Sequence, residues 1–314
     1  MSSKEIISFI IPCYNSTNTI PAVTEEIEKM MAESLKDYEF EIILVNDCSP
    51  DGTTYEKIKE LAKTDNHIKG LNLTRNFGQP SAVMAGMHYA KGSYIVCGDD
   101  DGQTPFVEFP KLFSKIQDGY DIVEAKYSVR EKRSLFRRFG TFMNESMATI
   151  LINKPKDFVL TSFWCIKRFV AENMLQYENP YPYLGGLILS ISRNMCNVSI
   201  SHRDRFSGKS GYSFSKMIKL WLNGFTNFSI KPLRIATLTG ISLAFAGFIY
   251  GLFTMIKKIV HPEMLAGYAS IIVVLLFFFG FSFMFMGLIG EYIGRIFLSL
   301  NRYPQFVVKD KINI

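Results

Sequence analysis

Three consecutive aspartates, Asp99, Asp100 and Asp101, follow the apolar run SYIVC, and they are the residues of this chain best suited to chemistry. Adjacent carboxylates after an apolar strand repel one another without a cation, the other reading being a solvated acidic turn. Carboxylate oxygens are hard ligands, which points to Mg²⁺ or Mn²⁺. If the strand continues into the triplet, Asp99 and Asp101 face one way and Asp100 the other. Asp99 and Asp101 are therefore the expected metal ligands. Two more polar clusters end apolar runs in the same fashion: PCYN at Pro12–Asn15 and NDCSPDGT at Asn46–Thr53.

The elements that must position these clusters alternate. EIISFIIP reads as a strand, residues 19–35 as a helix, EFEIILVND as a strand and residues 53–64 as a helix. IKGLNLT reads as a strand, residues 78–91 as a helix ending near Gly92, and SYIVCGDDD as a strand. Such alternation predicts an α/β fold, with a mostly parallel sheet covered on both faces. Ligands then bind at the carboxyl ends of the strands, where the three clusters lie. There is no GxGxxG. GKS at 208–210 lacks the rest of a P-loop, since Arg203 stands where its first Gly belongs.

Composition narrows the class. The 314 residues are 48% apolar and 20% charged, which excludes a mainly disordered chain. The net charge of +6 suits an anionic partner such as a phosphate or a membrane surface. Nothing resembles a basic nucleic-acid arm or a zinc finger, so no nucleic-acid partner is expected. Five cysteines without C-x-x-C spacing argue against a disulfide framework or a zinc site.

Mean hydropathy is only +0.11, but the long apolar runs gather after residue 232. No charged residue occurs from Ile235 to Ile256 or from Met264 to Gly290. Two transmembrane helices, 233–258 and 264–293, are expected. Lys216, Lys219, Lys231 and Arg234 stand before them, and Arg295, Arg302, Lys309 and Lys311 after. This predicts a multi-pass protein of the cytoplasmic (inner) membrane with its catalytic domain and both termini in the cytoplasm. Residues 213–232 read as an amphipathic interfacial helix and 294–314 as a cytoplasmic tail, leaving 1–212 as the catalytic domain. Leu135–Leu151 is a second amphipathic stretch, opened by the basic cluster Lys132, Arg133, Arg137 and Arg138. Glycine-rich spans and amphipathic helices favour a homo-oligomer.

In order along the chain stand P-x-Y-N (Pro12–Asn15), a VDDGS-like segment (Val45–Ser49), RNFGQ (Arg75–Gln79) and AG (Ala85–Gly86). Then come the DxD (Asp99–Asp101) with Gln103, LTSF (Leu160–Phe163), R-x-x-G-x-S-x-Y (Arg205–Tyr212) and GEYIGRIF (Gly290–Phe297). With these motifs the chain resembles, over almost its whole length, the family 2 glycosyltransferases of the polyprenyl-phosphate type. It departs from them at Asn46 and Cys48 (usually Asp and Gly), at Gly102 and Thr104, and at TSFW, which replaces a GDFR-like segment. The QxxRW motif of processive synthases is absent.

The resemblance implies a GT-A-like, Rossmann-type domain and an inverting transfer of one sugar from a nucleotide sugar, UDP-linked, to undecaprenyl phosphate or another polyprenyl phosphate. It implies that Asp47 recognises the base, that Pro12, Tyr14 and Asn15 line base and ribose, and that Arg75 and Gln103 meet the nucleotide and donor sugar. Asp99 and Asp101 join the catalytic set, with Asp157 as a base or orienting carboxylate. A lipid phosphate is already largely ionised, with a second pKa near ~6. Such an acceptor calls for cations more than for a base. Arg205, Lys209 and Ser210 are the first candidates, followed by Arg203, Lys126, Arg130, Arg137 and Arg138. The residues leave two other readings open: the same fold acting on another membrane lipid or lipid-linked sugar hydroxyl, and a catalytically silent membrane scaffold.

Overall fold

The computed structural model describes residues 4–127, 149, 154–155, 157–201, 203, 231–260, 267–301 and 303–314. The amphipathic stretches expected at 135–151 and 213–232 lie outside these residues, apart from 149 and the first two residues of a long helix. The chain divides into two units: Met1–Ile218 with Arg302–Ile314, and Lys219–Asn301.

The first unit is built on one eight-stranded sheet of order β7-β5-β6-β4-β1-β2-β3-β8. Its strands are β1 (Ile6–Cys13), β2 (Glu39–Asn46), β3 (Ile68–Leu73), β4 (Tyr94–Cys97), β5 (Ile122–Tyr127), β6 (Trp164–Lys167), β7 (Met195–Ile200) and β8 (Val308–Ile312). The centre is parallel, with β1 between β2 and β4 and β3 beside β2. β6 runs antiparallel to β4 and β5, and β7 runs parallel to β5. The helices α1 (Ile20–Ser34), α2 (Thr54–Thr64), α3 (Gln79–Tyr89), α4 (Phe109–Gln117), α5 (Arg168–Leu175) and α6 (Leu184–Ile191) cover it.

Burial on both faces explains why β1 (IISFIIPC) is an almost unbroken apolar run rather than an alternating one. Ile7, Phe9 and Ile11 pack with Ile20, Val23 and Ile27 of α1 and with Phe109 and Phe113 of α4. Ile10 points to the opposite face, against α3. There Gly86 lets helix and sheet approach: a Cβ on it would overlap Ile10 and sit 3.3 Å from Val45. The AG pair of the sequence is thus a packing device.

Two expectations change. The strand before the aspartates stops at Cys97, so the triplet lies in the following turn and not in extended alternation. The C-terminal tail is no separate element. The last helix runs to Leu300, and β8 then pairs antiparallel with β3, Gly70 opposite Ile312. The strand's sequence, VKDKI, is short and charged, as exposed edges commonly are.

The second unit contains α7 (Lys231–Val260) and α8 (Tyr268–Leu300), of 30 and 33 residues. Among the described residues one segment, Phe278–Leu298, is long and apolar enough to cross a membrane, by length and composition only. Ala236–Tyr250 is a shorter apolar stretch.

Gly86→Ala should lower the stability of the sheet unit by about 1–3 kcal/mol through overpacking. Denaturant unfolding checks this, and adding Ile10→Ala should cost less than the sum of the two single changes.

Candidate active site

Three strand ends are stitched into one rim. After β1, the Tyr14 amide donates to Asp100 Oδ2 at 3.0 Å, the Asn15 amide to Ser49 Oγ at 3.0 Å and the Ser16 amide to Thr54 Oγ1 at 3.1 Å. After β2, Asp51 accepts from the amides of Thr53 and Thr54, both at 3.1 Å, and thereby caps α2. Thr17 Oγ1 donates to the same carboxylate at 3.2 Å. The third end, after β4, is the aspartate triplet.

Each aspartate has a different setting. Asp99 Oδ1 accepts from Gln79 Nε2 at 2.9 Å, and its Oδ2 accepts from Ser162 Oγ. Its own amide donates to Thr104 Oγ1 at 3.0 Å. Asp101 Oδ1 accepts from the Gln103 amide at 3.0 Å, closing a turn that passes through Gly102 at φ 79°. Asp100 does not face away from the rim, as alternation would have it, but ties β4 to β1. Burial pushes its carboxyl up to about 6, and the charges of Asp99 and Asp101 push the same way, against the Tyr14 hydrogen bond. Tyr127 on β5 is also raised, to about 12, by burial and by Asp99.

The donors set against the triplet were only partly visible in the sequence. Gln79 belongs to RNFGQ and Ser162 to LTSF, but neither motif announces a bond to Asp99. Thr104, standing where an acidic residue is usual, serves as an acceptor for an amide, which a hydroxyl does without adding charge.

Asp47 sits deeper than the triplet. It is 4% exposed, and its two oxygens accept from the amides of Phe77 and Gly78, each at 2.8 Å. Burial raises its carboxyl, against these two bonds. Its carboxylate shapes the turn that starts α3. Asn46, replacing an Asp, donates from Nδ2 to Asn72 Oδ1 at 2.8 Å, which a carboxylate cannot do. Cys48, replacing a Gly, has φ 52°, the left-handed region that explains the usual glycine.

The other predicted residues divide. Pro12 is buried, Tyr14 and Asn15 are exposed on the rim, and Arg75 is exposed with its guanidinium 4.4 Å from the Phe77 ring centroid. Asp157 lies exposed on a turn; the residue of that stretch which reaches Asp99 is Ser162. Lys126 is exposed on β5. Arg203 is not an unopposed cation, because its Nη1 pairs with Glu26 Oε2 of α1 at 2.6 Å. Arg130, Arg137, Arg138, Arg205, Lys209 and Ser210 lie outside the described residues.

Among the described residues no three His, Cys, Asp or Glu side chains form a metal cage. The donor set is nevertheless all oxygen and anionic, and the mutual repulsion of adjacent carboxylates is what a hard cation relieves. Asp99 and Asp101 would be the residues to hold such an ion, which would supply charge neutralisation to a bound anion.

A mixed sheet with carboxylates on its carboxyl rim is a GT-A-like, Rossmann-type arrangement. Residues 8–175 match the model "Glycosyl transferase family 2", and residues 231–296 match "GtrB C-terminal hairpin". The chain belongs to glycosyl transferase family 2, and within it to the polyprenyl-phosphate transferases that its motifs resemble. It is 31% identical over 316 residues to the undecaprenyl-phosphate 4-deoxy-4-formamido-L-arabinose transferase of Photorhabdus laumondii, covering 99% of this chain and 96% of that one. It is 33% identical over 310 residues to the bactoprenol glucosyl transferase of Shigella phage SfX, covering 97% and 99%. Among solved structures, the fold is similar to glucosyl-3-phosphoglycerate synthase from Mycobacterium tuberculosis in complex with Mn²⁺, UDP-glucose and phosphoglyceric acid. The TM-score is 0.52 at 15% identity, over 70% of this chain and 78% of that one.

One more carboxyl lies under the rim. Glu124 on β5 is 1% exposed and raised from 4.5 to about 8 by burial, against the Thr161 amide and Lys154. Tyr183 is raised by burial and, to a lesser extent, by the charge of Glu124. A group whose folded pKa is raised contributes stability below its unfolded pKa that is lost as pH climbs to the folded value. Glu124→Gln should therefore remove part of the stability decline between pH about 4.5 and about 8. Unfolding midpoints of both proteins across that window check this; the advantage of the variant should grow toward pH 8.

Proposed function

We propose that this enzyme transfers a single sugar, with inversion, from a UDP-sugar to a polyprenyl phosphate such as undecaprenyl phosphate at the inner face of a membrane. The observation that carries this reading is the stitched rim. Asp99 and Asp101 stand where three strand ends meet, each with named donors holding it. Full-length similarity to transferases named for undecaprenyl phosphate and bactoprenol supports the acceptor. The Mn²⁺ and UDP-glucose of the fold neighbour support the donor and the cation.

The donor diphosphate is held at the rim, with Asp99 and Asp101 as the ligands of Mg²⁺ or Mn²⁺. When bound, that ion supplies charge neutralisation for the departing diphosphate. The acceptor phosphate oxygen attacks the anomeric carbon from the opposite face. A carbon–oxygen bond forms as the bond to the β-phosphate breaks, and the nucleotide diphosphate leaves with the electron pair. No proton need be abstracted, because the acceptor monoester is already mostly ionised near neutral pH. This agrees with a site whose hydroxyl, Ser162, donates to Asp99 rather than acting as a base.

The acceptor's tail stays in the bilayer, where α7 and α8 form two crossing helices with both termini cytoplasmic. The helix lengths of 30 and 33 residues, with the apolar segments Ala236–Tyr250 and Phe278–Leu298 inside them, support this. Arg205, with Lys209 and Ser210, holds the acceptor phosphate through a planar fork and neighbouring donors. Arg203 is left out of that set by its pairing with Glu26.

Asp99→Ala and Asp101→Ala should each reduce transfer at least ~100-fold while leaving membrane insertion unchanged, and excess EDTA should do the same to the wild type. A screen of nucleotide sugars with undecaprenyl phosphate, read by product mass, checks this; full activity of either variant would refute the cation assignment. Arg205→Ala should raise the KM for the lipid acceptor about tenfold or more and leave the donor KM nearly unchanged. Steady-state kinetics in both substrates decide it, and an equal rise for the donor would remove Arg205 from the acceptor site.

A further inference from the structure

The segment Phe158–Phe163 joins the aspartate rim to the β5–β7 end of the sheet, and a buried carboxyl holds its middle. Glu124 stands opposite Trp164 of β6 and Asn197 of β7. Its Oε2 accepts from the Thr161 amide at 2.5 Å, and its Oε1, also buried, has no hydrogen-bond partner among the described residues. A leucine would fill this space without leaving an orphaned polar atom, which is costly in a core. A purely space-filling role therefore does not explain an acid here.

The rest of the segment is also tied to the sheet. Val159 exchanges two hydrogen bonds with the Asn197 side chain, both at 2.8 Å. The Ala125 amide donates to Phe163 O at 2.9 Å, and Lys154 Nζ donates to Phe158 O. Between these anchors Glu124 grips Thr161, and the next residue, Ser162, donates to Asp99.

We propose that Glu124 is a positioning residue: it fixes Thr161 so that Ser162 reaches Asp99, and so sets the orientation of a donor-side carboxylate from across the sheet. The inference rests on Asp99 serving the donor, as in the proposed function. Burial raises the Glu124 carboxyl to about 8, so at neutral pH it is mostly uncharged and adds little to the repulsion within the triplet.

The test uses the full-length protein in detergent micelles and two readouts. The first is hydrogen exchange over Phe158–Trp164. Glu124→Ala should speed exchange of the Thr161 amide at least tenfold, with β1 and β2 unchanged, and Glu124→Gln, which keeps an acceptor oxygen, should preserve wild-type protection. The second is a double-mutant cycle on sugar transfer. Glu124→Ala and Ser162→Ala should each lower kcat/KM for the donor about 10- to 100-fold, and the double variant should lose no more than the worse single one. Glu124→Gln should recover most of the activity. If Glu124→Ala does not fold, Glu124→Leu fills its volume without an acceptor and replaces it in both readouts.

Unchanged exchange at Thr161, or losses that multiply in the double variant, would overturn the proposal. So would a Glu124→Gln protein that is protected but as inactive as Glu124→Ala. The exchange readout needs no acceptor. Failure of the wild type to glycosylate a polyprenyl phosphate, with the exchange pattern as expected, therefore counts against the acceptor assignment and not against the grip on Thr161.

Discussion

Three neighbouring carboxylates at the end of one strand are the constraint around which the catalytic unit is arranged. Left together in a partly buried turn they would repel, and Asp100, whose carboxyl is raised first by its own burial, is raised further by the charges of Asp99 and Asp101. The fold answers with donors brought from distant parts of the chain. Tyr14 offers a backbone amide from the end of β1, Gln79 a side-chain amide from the first turn of α3, and Ser162 a hydroxyl from the segment before β6. Charge-assisted bonds of this kind are the strong ones, and together they fix which way Asp99 and Asp100 face. The order of the sheet follows the same need, since β1 sits between the two strands whose ends must reach it.

The regular elements were readable because their physics is local. Apolar runs buried on both faces gave β1 to β4, and 3.6-residue periodicity gave α1 and α2. Tertiary pairing decided the rest. VKDKI has no apolar run to mark it, and only the unpaired edge of β3 makes it a strand. The strand before the aspartates looked longer than it is because SYIVC and GDDD adjoin. The turn at Gly102 and the hydroxyl of Thr104 break the alternation that would have turned Asp100 away.

At the site, residue types were legible and partners were not. The sequence pointed to Asp99, Asp101 and Asp47 alike as functional acids. Asp47 differs from the other two because the turn at Phe77 and Gly78 presents two amides that need an acceptor, and a spacing of 30 and 31 residues carries no sign of that. The cations behaved the same way. Arg203 has the residue type of a phosphate ligand, but Glu26, far away in sequence, pairs with it. Departures from a family pattern proved more informative than agreements. Asn46 and Cys48 show what their positions require: a donor toward Asn72 and a backbone in the left-handed region.

The same reasoning bears on the chemistry at Ser162. An acid at that position would place a fourth negative charge against Asp99 and would need to stay protonated or pair with a cation. A hydroxyl donates one hydrogen bond and adds no charge. It also gives up any prospect of acting as a strong base, which would disable a transfer to a neutral sugar hydroxyl but not to a phosphate monoester that arrives ionised. A serine facing the aspartate rim, backed by a buried and mostly neutral Glu124, is therefore consistent with an acceptor that brings its own negative charge. The catalytic demand then moves from proton removal to alignment, which a segment anchored to Asn197, Ala125 and Glu124 is built to supply.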